Sequence, residues 1–283
     1  MSNKLIVEKE TEDNDKNELE CCINNKIQSI ENNEKINIEN SVRELRKRFF
    51  AIKNIGYVPS VRKGSTGIGA TFESLLGKNE DKLEIPDFMG IEIKTKRGYS
   101  KSQITLFNAA PIGTTECETK RLRDKYGYPD KRDKNLKKFS GKIRVGEITK
   151  IGLFYRFQLE IDRERKRIVL CVYDWNEVCI DESAYWEFSV LKEKLIRKLS
   201  VLALVKAWPN NINGVEHFKY YKMTIYLLKD FESFLDALEA GKIKVSFKIG
   251  NHYEEDRYGE VEAHGVGFSI SEEDLDSIFD YYR

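Results

Sequence analysis

Cysteine pairs, prolines, histidines and long apolar runs are all scarce in this 283-residue chain. Its five cysteines, Cys21, Cys22, Cys117, Cys171 and Cys179, form no CxxC pair and sit near none of the three histidines, so sequence spacing suggests no zinc site. An odd, unpatterned count fits reduced thiols in a cytoplasm. The opening "MSNKLIVEKETEDND" has no apolar core of a signal peptide, and no run of about 18 apolar residues occurs, so neither export nor membrane spanning is expected. With only 5 prolines, 40% hydrophobic and 11% aromatic residues, the composition is that of a folded soluble chain large enough to bury a sizeable core.

What the chain has in excess is charge, at 34% of residues against the usual quarter or so. The net charge of +1 hides a gradient. Residues 1–40 carry five lysines against ten acids, and their sparse apolar residues predict an acidic, flexible leader. Residues 118–144 carry eleven Lys or Arg against four acids. Such a segment suits a nucleic-acid partner, although charge alone equally describes a solvated face.

Periodicity organises the rest. Val42, Leu45, Phe49 and Ile52 recur at helical spacing up to Gly56, and the loop "RKGSTGIG" follows with three glycines. "ATFESLLG" reads as a short helix, "GIEIKTK" and "SQITLFNAA" as strands, and "CETKRLRDKYG" as a basic helix. "LFYRFQLEID" and "RIVLCVYDW" form a predicted hairpin. "YWEFSVLKEKLIRKLS" reads as a helix, and the apolar run Val201 to Val205 suits a buried strand. "EHFKYYKMTIYLL" predicts another strand and "KDFESFLDALEAG" a helix. The tail predicts two strands around a polar loop, then a final helix "EEDLDSIF". Tyr126, Tyr128, Tyr220 and Tyr221 are assigned to packing.

The candidate chemistry lies in "GATFESLLGKNEDKLEIPDFMGIEIKTKR", which holds six carboxylates. Asp87 and Glu92 flank a corner, and Lys94 shares the strand face of Glu92. Two carboxylates brought together there offer hard oxygen ligands to magnesium, beside an ammonium able to orient a water. Spacing alone does not choose between that site and ordinary surface charge. Glu80, Asp81 and Glu84 are read as linker surface.

The run "RKGSTGIGATFESLLGKNEDKLEIPDFMGIEIKTKR" resembles the MvaI/BcnI-type restriction endonucleases of the PD-(D/E)xK nuclease superfamily, with MutH a more distant relative. The motif is Pro86-Asp87 followed by Glu92-Ile93-Lys94, with Glu73 as an additional acid. "SQITLFNAAP", "RLRDKYG", "AYWEFSVLKEKLIRKLSVLALV" and the tail from "GKIKVSFKIG" to "HGVGFSI" are similar in the same order. The resemblance implies an α/β (α+β) fold: a nuclease core with a mixed central sheet flanked by helices (41–210) and a smaller C-terminal DNA-recognition lobe (211–283). It implies catalysis by Glu73, Asp87, Glu92 and Lys94, with Mg2+ on Asp87, Glu92 and the Ile93 carbonyl, and Mn2+ able to substitute.

By the same resemblance the C-terminal lobe reads bases at positions Lys248, His264 and Ser269, where the family uses Arg and His. Only the histidine is kept. Lysine imitates the guanidinium fork in part and serine does not, so a changed target sequence is expected. His252 and Arg257 in the adjoining loop are candidate compensators, and the basic segment Lys120 to Arg144 is a candidate phosphate surface. The implied activity is Mg-dependent type II cleavage of double-stranded DNA to 5′-phosphate ends, by a cytoplasmic monomer with a cognate DNA methyltransferase as functional partner. A MutH-like strand-nicking enzyme and a non-catalytic DNA-binding module of the same fold are the alternatives.

Overall fold

A computed structural model describes residues 37–77, 86–115 and 117–283, apart from the side chains of Ala263 and His264. The acidic linker residues Glu80, Asp81 and Glu84, and all but the end of the predicted leader, lie outside the described residues. The chain divides into two compact units, Met1–Ala51 and Ile52–Arg283. In the first, the described residues belong to helix α1 (37–55), helical already before the predicted start, with Val42, Leu45 and Phe49 buried on one stripe.

The second unit runs β1 (Tyr57–Pro59), α2 (Gly67–Leu75), β2 (Glu92–Arg97), β3 (Ile104–Asn108), α3 (Glu118–Tyr126), β4 (Tyr128–Pro129) and β5 (Lys137–Ile143). It continues with β6 (Thr149–Ile151), β7 (Tyr155–Asp162), β8 (Arg167–Tyr173), β9 (Cys179–Glu187), α4 (Phe188–Leu199), β10 (Val201–Ile212) and β11 (Val215–Leu228). It ends with α5 (Phe231–Glu239), β12 (Ile243–Asn251), β13 (Val261–Ile270) and β14 (Phe279–Tyr281).

Three sheets result. The first has the order β1-β11-β10-β2, with β14 on β11; β2 runs parallel to β10 and the other pairs are antiparallel, giving the expected mixed sheet. The apolar run Val201 to Val205 is buried throughout, because β10 lies between β2 and β11 and is covered on both faces. The second sheet is β3-β13-β12-β5-β4 and the third β6-β7-β8-β9. The β7–β8 hairpin turns at Arg163–Lys166 as its sequence predicts.

Packing joins these layers. Leu191, Leu195 and Leu199 form the buried stripe of α4, and Phe231, Phe234, Leu235 and Leu238 that of α5, whose first turn is capped by Asp230 accepting from Ser233 N at 2.7 Å. Between them lies an aromatic core in which Phe139 meets Phe157 and Phe247 at 5.0 and 5.2 Å, and Trp186 meets Phe268 at 5.7 Å. The Trp186 indole donates to the Ala109 carbonyl at 2.9 Å, so its polar edge is satisfied inside that core. Tyr126 and Tyr220 are fully buried, in keeping with packing roles.

One local expectation changes. The final "EEDLDSIF" is not an α-helix: a 3₁₀ turn over Leu275–Ser277 leads directly into β14. Ser271 Oγ donates to Asp274 Oδ2 and Ser277 Oγ to the Asp274 carbonyl, both at 2.6 Å, and such local bonds compete with helix hydrogen bonding. The expected lobe boundary at 210/211 falls inside β10, which passes straight into the β10–β11 hairpin. Among the described residues no helix is long and apolar enough to cross a membrane.

Candidate active site

The corner between Asp87 and Glu92 is built by its turn. Phe88 and Ile91 exchange backbone hydrogen bonds of 2.9 and 2.8 Å, and the two residues between them, Met89 and Gly90, both have positive φ (45° and 83°). A two-residue reversal of this hand needs glycine at Gly90 and places Met89 in a sparsely populated conformation, as often occurs at functional sites. The reversal carries Asp87 back beside the start of β2, where the Ile93 N–H donates to Asp87 Oδ2 at 2.9 Å.

Glu92 is drawn in further than its alternating pattern suggests, with 2% of its surface exposed. The cause is register: Glu92 pairs with Leu202 and Lys94 with Leu204 on parallel β10, on the side of the sheet that α4 covers. Glu92 Oε1 accepts from Lys94 Nζ and has Lys198 Nζ of α4 at 3.7 Å. Its second oxygen, Oε2, is buried with no hydrogen-bond donor among the described residues. Burial pushes the Glu92 carboxyl above its usual range; Lys94 opposes the rise, Asp87 adds to it and Lys198 opposes it.

Glu73 approaches from α2. It lines one cleft of about 310 Å³ together with Arg62, Ile93, Lys94, Thr95 and Gln103. At Gly69 a Cβ would stand a tight 3.3 Å from Thr95 Oγ1 but in ordinary contact, 3.6 Å, with Glu73 Oε1, so Gly69 eases the packing of α2 on β2. The helix is seated by Phe72 packing on Tyr220 at 5.0 Å and by Tyr220 OH donating to the Ile68 carbonyl at 2.7 Å. The glycine loop before it is tied down by Arg97, which holds Glu216 at 2.8 Å and reaches the carbonyls of Gly64 and Ser65 at 3.3 Å.

These donors fit a hard divalent cation. Two carboxylates converge, the backbone of β2 lies beside them, and a buried carboxylate oxygen lacks a partner among the described residues, a state that costs free energy unless something fills it. The structure thus brings Asp87, Glu92, Ile93 and Lys94 together, and Ile93 and Lys94 also line the cleft that Glu73 enters. Lys198 was not legible in the sequence, since nothing in an amphipathic helix marks one of its lysines as facing a strand 106 positions away.

A second cleft, of about 260 Å³, adjoins the first through Ser102, Gln103 and Thr105 and is otherwise lined by Asn108, Lys142, Ser246, Lys248, Gly265, Gly267 and Ser269. Lys248 is exposed there, while Ser269 is buried and donates to Gln103 Oε1 at 3.0 Å. His252 and Arg257 do not line it: His252 lies 3.5 Å from Glu254, and Arg257 donates to Glu260 at 2.8 Å. His264 is on β13, but its side chain lies outside the described residues.

The basic segment is partly structural. Arg123 is buried and donates to Asn251 Oδ1 at 2.7 Å and to the Gly259 carbonyl at 3.1 Å, while Arg121 holds Asp181 at 2.6 Å. Lys120 is paired with Asp124 and Lys125 with Asp181. Lys142 is the member of this segment that lines the second cleft.

Comparison with known proteins identifies the family. A family model described as the MvaI/BcnI restriction endonuclease family matches residues 46–279. A solved structure of a complex between restriction endonuclease MvaI and its cognate DNA substrate is similar with a TM-score of 0.78 at 31% identity, covering 86% of this chain and 97% of that one. One of MvaI in the absence of DNA is similar with a TM-score of 0.58 at 30% identity, covering 86% and 96%. Among curated proteins, none matches.

Proposed function

The chain belongs to the MvaI/BcnI restriction endonuclease family and is a site-specific deoxyribonuclease; from that premise we propose that it is a type II enzyme cutting double-stranded DNA with magnesium held by Asp87, Glu92 and the Ile93 carbonyl. The observation that carries the metal assignment is the buried, donor-free Oε2 of Glu92 beside Asp87. Bound there, magnesium supplies positive charge against that developing on the phosphate and leaving oxygens, and manganese substitutes for it.

The chain's own residues do the rest. Lys94, fixed by Glu92 Oε1 and open to the cleft, orients the attacking water and eases its deprotonation. Glu73, which lines the same cleft as Lys94, serves as an outer acid. Displacement leaves a 5′-phosphate on the product. Lys198 acts through Glu92 and is a positioning residue.

Duplex DNA then runs along both clefts, with the first sheet and α2 cutting and the second sheet reading. Similarity to MvaI solved with its cognate DNA substrate supports the binding of duplex DNA. Gln103, Asn108, Lys142 and Lys248 present amide and ammonium groups suited to base edges, while Ser269 is committed to holding Gln103. Lysine at 248 and serine at 269 therefore give this chain a target sequence of its own. The protein acts as a cytoplasmic monomer, alongside a DNA methyltransferase that protects host sites.

Pure protein incubated with plasmid and Mg2+ is expected to yield discrete fragments whose sequenced ends give site, stagger and strandedness together. A smear, or cutting that survives Lys94→Ala, overturns the proposal. Open circles without linear product point to a nickase, and binding without cutting in Mg2+ or Mn2+ to a module without catalysis. Lys248→Ala is expected to lose about 1–3 kcal/mol of discrimination at one base pair, read from cleavage rates on single-base variants of the site.

A further inference from the structure

A second cluster of ligand-type side chains lies on the third sheet, away from the carboxylates of β2. Cys171 on β8 and Cys179 and Glu182 on β9 have their sulfur and carboxylate oxygen atoms within 4.8 Å of one another. Linear spacing concealed the group, because seven residues, including a turn, separate the two cysteines and neither belongs to a CxxC pair. The strand ladder brings them together. The β8–β9 register shifts on both sides of Val172, leaving Cys171 out of the paired ladder, and bulges of this kind re-aim side chains. Ile168, Leu170 and Val172 enter the main core, so Cys171, one position out of phase, faces the other side of the sheet, still only 1% exposed.

A fourth group borders the cluster without joining it. Glu160 of β7 adjoins Cys171 and accepts a hydrogen bond of 2.9 Å from Tyr173 OH. Among the described residues neither Glu160 nor Glu182 has an ion-pair partner. Two thiols and one carboxylate thus face one another, with a second carboxylate beside Cys171 and no balancing cation among the described residues. We propose that Cys171, Cys179 and Glu182 form a structural site for one zinc-type divalent cation, with Glu160 beside Cys171 supporting it from outside the ligand set.

The geometry suits it. Tetrahedral zinc with Zn–S near 2.3 Å and Zn–O near 2.0–2.2 Å sets sulfur and oxygen ligands about 3.5 Å apart, and Cys179 Sγ stands 3.4 Å from Glu182 Oε1. Burial, and then Glu160, push the Cys171 thiol up; burial also raises Cys179, against a hydrogen bond at Asp181 and with Glu182 adding to the rise. A cation among them reverses that balance, and the two thiol protons leave to solvent as it binds. Thiolates select zinc over magnesium, whereas the all-oxygen set at Asp87 and Glu92 suits magnesium, so the two sites sort metals by ligand softness. The ion clamps β8 to β9 where their ladder is broken, and β9 runs directly into α4, which carries Lys198.

Cobalt alone, titrated into the reduced, chelator-treated full chain, tests this. The expected result is a near-ultraviolet thiolate-to-cobalt absorption band saturating at one equivalent, displaced by Zn2+ and not by Mg2+. The band is expected to persist in Glu92→Gln, which alters the oxygen site, and to vanish in Cys179→Ser. Glu182→Gln, at an exposed position that leaves folding intact, weakens cobalt binding, and Tyr173→Phe weakens it about 10–100-fold by freeing Glu160. No band in the native chain, or an undiminished band in Cys179→Ser, overturns the site. A Cys171–Cys179 disulfide found by peptide mapping, with no cobalt band after reduction, overturns it as well.

Discussion

Glu92 and Asp181 are both strand carboxylates drawn largely out of water, and their surroundings treat them in opposite ways. Asp181 has a full complement of donors: Ser183 N and Oγ on Oδ1 at 2.9 and 2.6 Å, and Arg121, Lys125 and the Tyr126 hydroxyl on Oδ2. Burial alone pushes Asp181 upward, but hydrogen bonds from Ser183, Tyr126 and Arg121 outweigh it and hold the carboxyl well below its usual range. Glu92 has one oxygen on Lys94, the other without a donor, and a pKa moved upward chiefly by burial. A buried carboxylate that is fully satisfied braces the fold. One left half satisfied beside a second carboxylate is free to hold something else, and costs stability until it does.

The largest test of that contrast is catalytic. Lys94→Ala is expected to slow single-turnover cleavage by about 10²–10⁴-fold, with DNA binding retained, while Asp181→Asn leaves the rate per folded molecule unchanged. Equal rate losses in the two variants erase the distinction.

The stability tests run the other way. Asp181→Ala leaves Arg121, with 14% of its side chain exposed, facing only Glu118, and is expected to cost about 3–5 kcal/mol in denaturant unfolding. Because the folded carboxyl is held low, its contribution is present above the ordinary value of 3.8 and is lost as pH falls below it. Glu92 has the opposite sign. Its folded value is raised, so its contribution is complete below the ordinary 4.5 and lost as pH rises through the folded value. Glu92→Gln is therefore expected to stabilise the metal-free protein at neutral pH by on the order of 1 kcal/mol, an advantage that disappears below about pH 4.5, and to be uncuttingly inactive. A destabilised Glu92→Gln removes the claim that the site is held at a cost.

The two carboxylates were unequally legible in the sequence. Glu92 stood in a motif whose neighbours, Pro86-Asp87 and Lys94, lie within eight positions, and the turn residues Met89 and Gly90 are local. Asp181 depends on Arg121 and Tyr126, more than fifty residues upstream, and no periodicity links them. For the same reason the basic segment read as a phosphate surface, whereas Arg121 and Arg123 are used in packing, and β5 and β9 were hidden by their charge. The run Val201 to Val205 was legible because burial on both faces leaves only apolar residues, and the final helix misled because side-chain hydrogen bonds among Ser271, Asp274 and Ser277 do not show in spacing.

The smallest expected effect concerns Lys198, which joins the half-satisfied site from α4. Its Nζ is 3.7 Å from Glu92 Oε1 and its side chain is 30% exposed, so solvent screens the pair to no more than about 1 kcal/mol, roughly fivefold in rate. Its charge nonetheless lowers the Glu92 carboxyl against burial. Lys198→Ala is therefore expected to shift the acid limb of the pH–rate profile to higher pH with little change on the plateau, and Lys198→Arg to restore the limb. A plateau loss as large as that of Lys94→Ala, with no shift of the limb, makes Lys198 a participant in the chemistry equal to Lys94 rather than a positioning residue.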